Sequence, residues 1–150
     1  MGHYAKINKD NIVETVIVAK ADYINTLADK DSYIKTSYNT IEGVHYESTS
    51  KDGPDLSLTK PSSDQSKALR FRFAGPGMEY NKTHDVFHES IKYPSWTFVI
   101  KDDEGNFAYC WKPPHSPPET TDSDGKAQNY LWDESAYQAD NTKGWVLVDG

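Results

Sequence analysis

Two histidines open the search for chemistry. His84-Asp85-Val86-Phe87-His88-Glu89 places His84 and His88 four residues apart. On a helix that spacing shares one face, which suits a zinc site. The surrounding residues read as strand and turn, where no such face forms, so polar hairpin residues are expected instead. Asp122-Ser123-Asp124-Gly125 has the start of a calcium loop, but Asp133 stands at the twelfth position, where the closing glutamate belongs. Asp102-Asp103-Glu104-Gly105 is similar and tighter. Both read as acidic turns. Cys110 lies between Tyr109 and Trp111 with no histidine at catalytic spacing, and an inert buried thiol is expected. Gly75-Pro76-Gly77 lacks every other part of a phosphate loop, and no serine elbow or dinucleotide fingerprint occurs. The carboxylates form no recognisable acid/base pair. No catalytic, cofactor or metal residue is assigned, and the chain reads as a structural or binding protein rather than an enzyme.

Trp96, Trp111, Trp132 and Trp145 are the candidate aromatic surface. Rings in a row stack on sugars or on a partner. Rings at hairpin positions also serve as the core of thin sheets.

The elements that would position these residues are mostly strands. The chain has 150 residues, a common size for one domain, so 1–150 is read as a single domain. Its core must come from large rings, since hydrophobic residues make up 36% but aromatics reach 13%. Tyr4-Ala5-Lys6-Ile7, the turn Asn8-Lys9-Asp10-Asn11 and the β-branched run Ile12 to Val18 predict an N-terminal hairpin over 3–18. Asp22 as an N-cap, with Tyr23, Ile24, Leu27 and Ala28 at helical spacing, predicts a short helix near 22–29. Residues 33–46 read as extended pieces around a turn, and 48–61 as a polar loop. Ser62 and Gln65 have capping-box spacing, which predicts a second short helix near 62–71. Three aromatic hairpins then follow over 78–148, with an extended proline-rich loop from Lys112 to Lys126 before the last. The fold class is mainly β: antiparallel hairpins in a meander with two short helices. A lone hairpin is marginal in water, so these should stack on each other or on a partner.

Charge narrows the partners. The formal net charge is −7. Residues 101–150 carry 4 basic and 10 acidic side chains, whereas 51–100 carry 7 and 6. Direct nucleic-acid binding, which needs clustered cations, is not expected. The single cysteine forbids an internal disulfide. No apolar run has membrane-spanning length, and the first residues lack an apolar signal core, so a protein made in the cytoplasm is expected.

Several segments also carry a family resemblance. They are His3-Tyr4-Ala5-Lys6-Ile7 with Asn11-Ile12-Val13 and Val16-Ile17-Val18, and Ile34-Lys35-Thr36-Ser37-Tyr38-Asn39-Thr40 with Gly43-Val44-His45-Tyr46. Others are Lys67-Ala68-Leu69-Arg70 with Ala74-Gly75, Tyr80 with Asp85 and Phe87, Pro94-Ser95-Trp96, and Tyr130 with Trp132-Asp133-Glu134. Together they resemble a family of small proteins of marine bacteriophages, cyanophage-like above all; the 34–46 stretch is the specific part. The chain departs from the family where Phe71-Arg72-Phe73 replaces a more polar stretch, and its Trp96–Trp111 hairpin and proline loop are expanded. The family mostly lacks an assigned function. The resemblance therefore implies a virion protein made in the host cytoplasm, but brings no catalytic residues.

The expectation is a capsid decoration or cement protein. A neck, tail or fibre adaptor is the runner-up, and a carbohydrate- or receptor-binding module the third reading. Its partners would be other virion proteins, the major capsid protein first, or further copies of itself, with no nucleic acid, membrane or cofactor. Tyr4 and Ile7 in the first hairpin, and Lys67, Arg70, Phe71 and Arg72 in the slightly basic middle third, are the expected partner contacts.

Overall fold

Asn8 shows how this chain makes its turns. Its side-chain oxygen accepts hydrogen bonds from the backbone N–H of Asp10 and of Ile12, at 2.9 and 3.0 Å. Asn11 then adopts a left-handed φ of 64°, which asparagine tolerates. The same device recurs twice with aspartate and glycine. Asp102 Oδ1 accepts from Glu104 and Asn106 with Gly105 at φ 84°, and Asp122 Oδ1 accepts from Asp124 and Lys126 with Gly125 at φ 79°. Each is a tight hairpin turn closed by its own first residue. The two acidic motifs of the sequence are therefore turn locks.

The computed structural model describes residues 1–47 and 60–148. Most of the loop read at 48–61 lies outside the described residues. Among those described the fold is mainly β, with antiparallel hairpins and two short helices. The span read as one domain divides into two compact units. The first comprises Met1–Ser90 and Ile100–Cys110, the second Ile91–Val99 and Trp111–Gly150. No helix among the described residues is long and apolar enough to cross a membrane.

In the first unit, β1 (Gly2–Ile7) pairs antiparallel with β2 (Val13–Ala19) on one edge and with β3 (Tyr33–Thr36) on the other. The hairpin expected over 3–18 is thus present, with a third strand added. β1 is paired on both edges and covered on both faces. Ala5 and Ile7 point into a cluster with Val13, Ala74, Met78 and Phe87, while Tyr4 points the other way onto Ala19 and Ile24. Ile24 comes from α1 (Ala21–Asn25), which is shorter than the helix expected to 29. Its N-cap position is Lys20, without a side-chain cap bond, and Asp22 lies inside the first turn. The helix is held by burying Ile24 rather than by capping.

A small hairpin follows, β4 (Thr40–Ile41) and β5 (Val44–His45). Then come β6 (Glu79–Asn81) and β7 (Val86–His88), paired Tyr80 to Phe87. Backbone bonds from Val13 N–H to Met78 and from Gly77 N–H to Val13 tie this segment to the start of β2, at 2.8 and 2.9 Å.

The helix expected over 62–71 is not there. Only Gln65–Lys67 form a single 3-10 turn, capped by Asp64. Gln65 does not accept from the Ser62 N–H as a capping box would, that N–H going to the His45 carbonyl, although its Nε2 donates to the Ser62 carbonyl at 2.7 Å. Its side-chain amide brackets His45 instead, accepting from the His45 N–H and donating to the His45 carbonyl at 2.9 Å each. The tertiary partner outcompetes the local cap.

β8 (Thr97–Lys101) and β9 (Phe107–Lys112) form the next hairpin. In the second unit, β10 (Asn129–Trp132) pairs with β11 (Trp145–Val148). The connection between them, read from sequence as a turn, holds the second helix, α2 (Glu134–Ala139). Asp133 caps it, its Oδ1 accepting from the Ala136 N–H at 3.0 Å. The proline-rich segment expected to be extended to Lys126 ends in the Asp122 turn, closed by a bridge between Thr121 and Ala127.

Candidate functional site

The four tryptophans are placed by the hairpins of the second unit, and they face inward more than outward. Trp132 is buried on β10. Trp145, opposite it on β11, meets it edge-on with ring centres 5.2 Å apart, and Trp96 lies 6.1 Å from Trp132 and 6.3 Å from Trp145. His115 and Tyr137 complete the ring cluster, each 5.4 Å from Trp132. Two of the indole N–H groups are used internally, and that of Trp96 is buried without a hydrogen-bond partner. Trp145 Nε1 donates to the His115 carbonyl at 2.8 Å, and Trp132 Nε1 to Glu134 Oε1 at 3.0 Å. Glu134 also accepts from Ser95 at 2.6 Å and Gln138 at 2.7 Å. The Ser95 bond is the main reason its carboxyl sits below the usual range. Trp111 packs on Phe98, with ring centres 5.1 Å apart. Trp132 is a buried core ring, and Trp96, Trp111 and Trp145 are half-buried against their neighbours.

The outward face of the same sheet is apolar. Leu131 opposes Val146, and Asn129 opposes Val148, all on the side away from Trp132 and Trp145. Leu131 is 65% exposed, Val146 47% and Val148 37%. No charge lies on either strand of this pair. This face escaped the sequence reading, which weighed the rings and not the residues between them. Alternation in Asn129-Tyr130-Leu131-Trp132 and Trp145-Val146-Leu147-Val148 separates the two sets, but only the register shows that Leu131 and Val146 form one patch.

In the first unit most of the expected partner contacts are structural. Tyr4, Ile7 and Phe71 are buried. Arg70 donates from Nε to Asp85 at 2.8 Å and from Nη1 to the Lys35 carbonyl at 2.9 Å. Asp85 also accepts from the Tyr80 hydroxyl; burial first, and that bond second, raise the Tyr80 pKa. Arg72 forks onto the carbonyls of Tyr109 and Ala108 at 2.8 and 3.0 Å, and its guanidinium lies 4.9 Å from the centre of the Phe71 ring. Among these six residues, Lys67 alone is exposed. The reason is local: Phe71-Arg72-Phe73 is an inward-turned segment, with Arg70 and Phe71 both at left-handed φ, 55° and 72°.

Arg72 is therefore expected to matter for folding. Arg72→Ala leaves two strand carbonyls without their charged donors, and should lower stability by about 2–3 kcal/mol. Arg72→Lys should recover little, because an ammonium cannot fork onto two carbonyls. Urea denaturation checks both variants; midpoints equal to the parent's would return Arg72 to the exposed-contact reading.

The remaining chemical candidates are dispersed. His84 packs its ring 5.6 Å from Tyr109, while His88 is buried with Nδ1 2.8 Å from the Glu89 carbonyl. Cys110 is a free, half-buried thiol, less enclosed than the sequence suggested. Among the described residues no group of three or more His, Cys, Asp and Glu side chains is arranged to hold a metal ion. No family model, no curated protein and no solved structure matches the chain.

Proposed function

We propose that the chain is a virion structural protein, a capsid decoration or cement protein that works by docking on other virion proteins. The outward face of β10 and β11 carries the docking part of this reading. Leu131, Val146 and Val148 form an uncharged apolar patch on a two-stranded ribbon, and such patches mark protein contact surfaces. The resemblance to marine phage proteins supports the virion part. The inward packing of Trp132, Trp96 and Trp145 disfavours a sugar-stacking platform.

The test has two steps. Purified virions of the phage that encodes the chain should contain it, with label on the capsid shell. Leu131→Lys combined with Val146→Asp should abolish attachment with little change in melting temperature, since the two opposed side chains then form an oppositely charged cross-strand pair. Absence from purified virions ends the virion reading. Label confined to the neck or tail makes the protein an adaptor instead. Normal attachment of the double variant removes the β10–β11 face from the interface.

A further inference from the structure

The two outer edges of the β2-β1-β3 sheet are treated differently. On β3, Arg70 Nη1 donates to the Lys35 carbonyl, and the strand is only four residues long with a lysine in it. Those features blunt an edge. On β2 the edge is occupied only at its start, where Val13 bonds outward to Met78 and Gly77. A turn closed by the Met78 N–H on the Gly75 carbonyl at 3.1 Å carries that segment off the edge.

Beyond Val13, β2 pairs with β1 alone. A register shift between Lys6 and Ile7 leaves Glu14 as the extra residue, and pairing is regular from Thr15 to Ala19. Because Val13 spends its backbone outward, Ile7 and Val13 are a non-hydrogen-bonded pair. Alternation along β1 then bonds Lys6 to Thr15 and Tyr4 to Ile17, and turns the backbone groups of Val16 and Val18 outward. Those groups have no strand partner among the described residues. Val18 is 59% exposed. Thr15-Val16-Ile17-Val18 holds no charge and no proline, so nothing in it discourages a further strand.

We infer that this edge pairs with the same edge of a second copy of the chain. An antiparallel pair with its two-fold axis at Ile17 sets Val16 opposite Val18 of the second copy, and Val18 opposite Val16. Each of those pairs exchanges two N–H···O bonds. The same register brings Glu14 beside Lys20 of the second copy, twice. Both side chains are exposed. Glu14 has only a loose ion pair within its own chain, 3.8 Å from Lys6, which is shared with Asp29 at 3.8 Å. Moving the axis to Val18 would set Glu14 against Asp22, and moving it to Val16 would set Glu14 against Val18. The charges therefore select Ile17, and such self-complementarity is the mark of a two-fold interface. The edge belongs to the first unit and is independent of the β10–β11 face, which belongs to the second.

Sedimentation equilibrium of the full chain up to about 1 mM should show monomer and dimer in exchange. Val18→Lys puts a charge on the edge and should leave monomer only, with little change in melting temperature because the Val18 side chain is exposed. Lys20→Glu should weaken the dimer about tenfold, and adding Glu14→Lys should restore it. Ile17→Cys in a Cys110→Ser background should cross-link on mild oxidation, since a residue on the axis faces itself within disulfide range. Thr15→Cys in the same background faces Ala19 of the second copy and should not. A chain that stays monomeric to that concentration overturns the inference and leaves the edge to a strand of another protein. A dimer unaffected by both Val18→Lys and Lys20→Glu overturns it as well, and so does equal cross-linking through positions 15 and 17.

Discussion

Replacing Gly144 with alanine is expected to unfold the second unit. Gly144 stands at φ 136°, a conformation that L side chains rarely adopt. A Cβ placed there would lie 2.4 Å from two carbons of the Trp132 ring. Neither side can yield easily. The Trp132 ring is enclosed by Trp96, Trp145, His115 and Tyr137, and its Nε1 is tethered to Glu134. The Gly144 carbonyl accepts at 2.6 Å from the N–H of Asp133, the residue that caps α2. Overpacking of this kind costs about 1–3 kcal/mol, and the backbone conformation adds about 1–3 kcal/mol. Together these approach the whole stability margin of a small unit. The readout is direct, because all four tryptophans lie in the second unit. Their emission should shift to the red in Gly144→Ala under conditions where the parent is folded. Emission and melting equal to the parent's would mean that Trp132 does not pack against this glycine.

Much of this architecture is legible in the residues, and the misses have particular causes. The β-branched run from Val13 to Val18 and the polar turns between aromatic strands mark the hairpins, because strand propensity and turn chemistry are local. The second helix was misplaced because its signals are tertiary. Ser62 and Gln65 have the right spacing, but the Gln65 oxygen accepts from His45, twenty positions back, and not from Ser62. The helix after Asp133 lacks an apolar stripe and has no buried residue, so only its cap announces it.

The internal placement of most candidate contacts has a related cause. Tyr4 and Ile7 point to opposite faces of one strand, and a sheet covered on one face only would expose one of them. Both faces are covered by residues distant in sequence, Ile24 over Tyr4 and Ala74, Met78 and Phe87 over Ile7. Arg70 and Arg72 read as surface cations from composition alone. Their acceptors, Asp85 and the carbonyls of Lys35, Ala108 and Tyr109, become neighbours only in the fold. The apolar patch of Leu131 and Val146 shows the converse, since its register had to be known before two unremarkable residues became a surface.

Phe87→Ala should cause the largest loss in the first unit. Phe87 is 0% exposed, at the centre of the cluster with Ile7, Val13 and Met78. Two alanines, Ala5 and Ala74, face the same cluster and make room for the ring. They also limit repair, because a methyl group cannot extend into the space the ring leaves. Tyr80 leans on Phe87 with ring centres 5.2 Å apart, and would lose that contact as well. Strand β7 is pinned by the Phe87 N–H to the Arg70 carbonyl at 3.0 Å, so backbone collapse is restrained too. A cavity that cannot close puts the cost near the upper part of the usual range, about 3–5 kcal/mol. Phe87→Leu fills most of the volume and should cost less, about 1–2 kcal/mol. Urea denaturation followed by far-UV circular dichroism measures both, and the order of the two midpoints is the sharper test. If Phe87→Ala and Phe87→Leu unfold at the same urea concentration, the ring does not fill the cavity that these neighbours define.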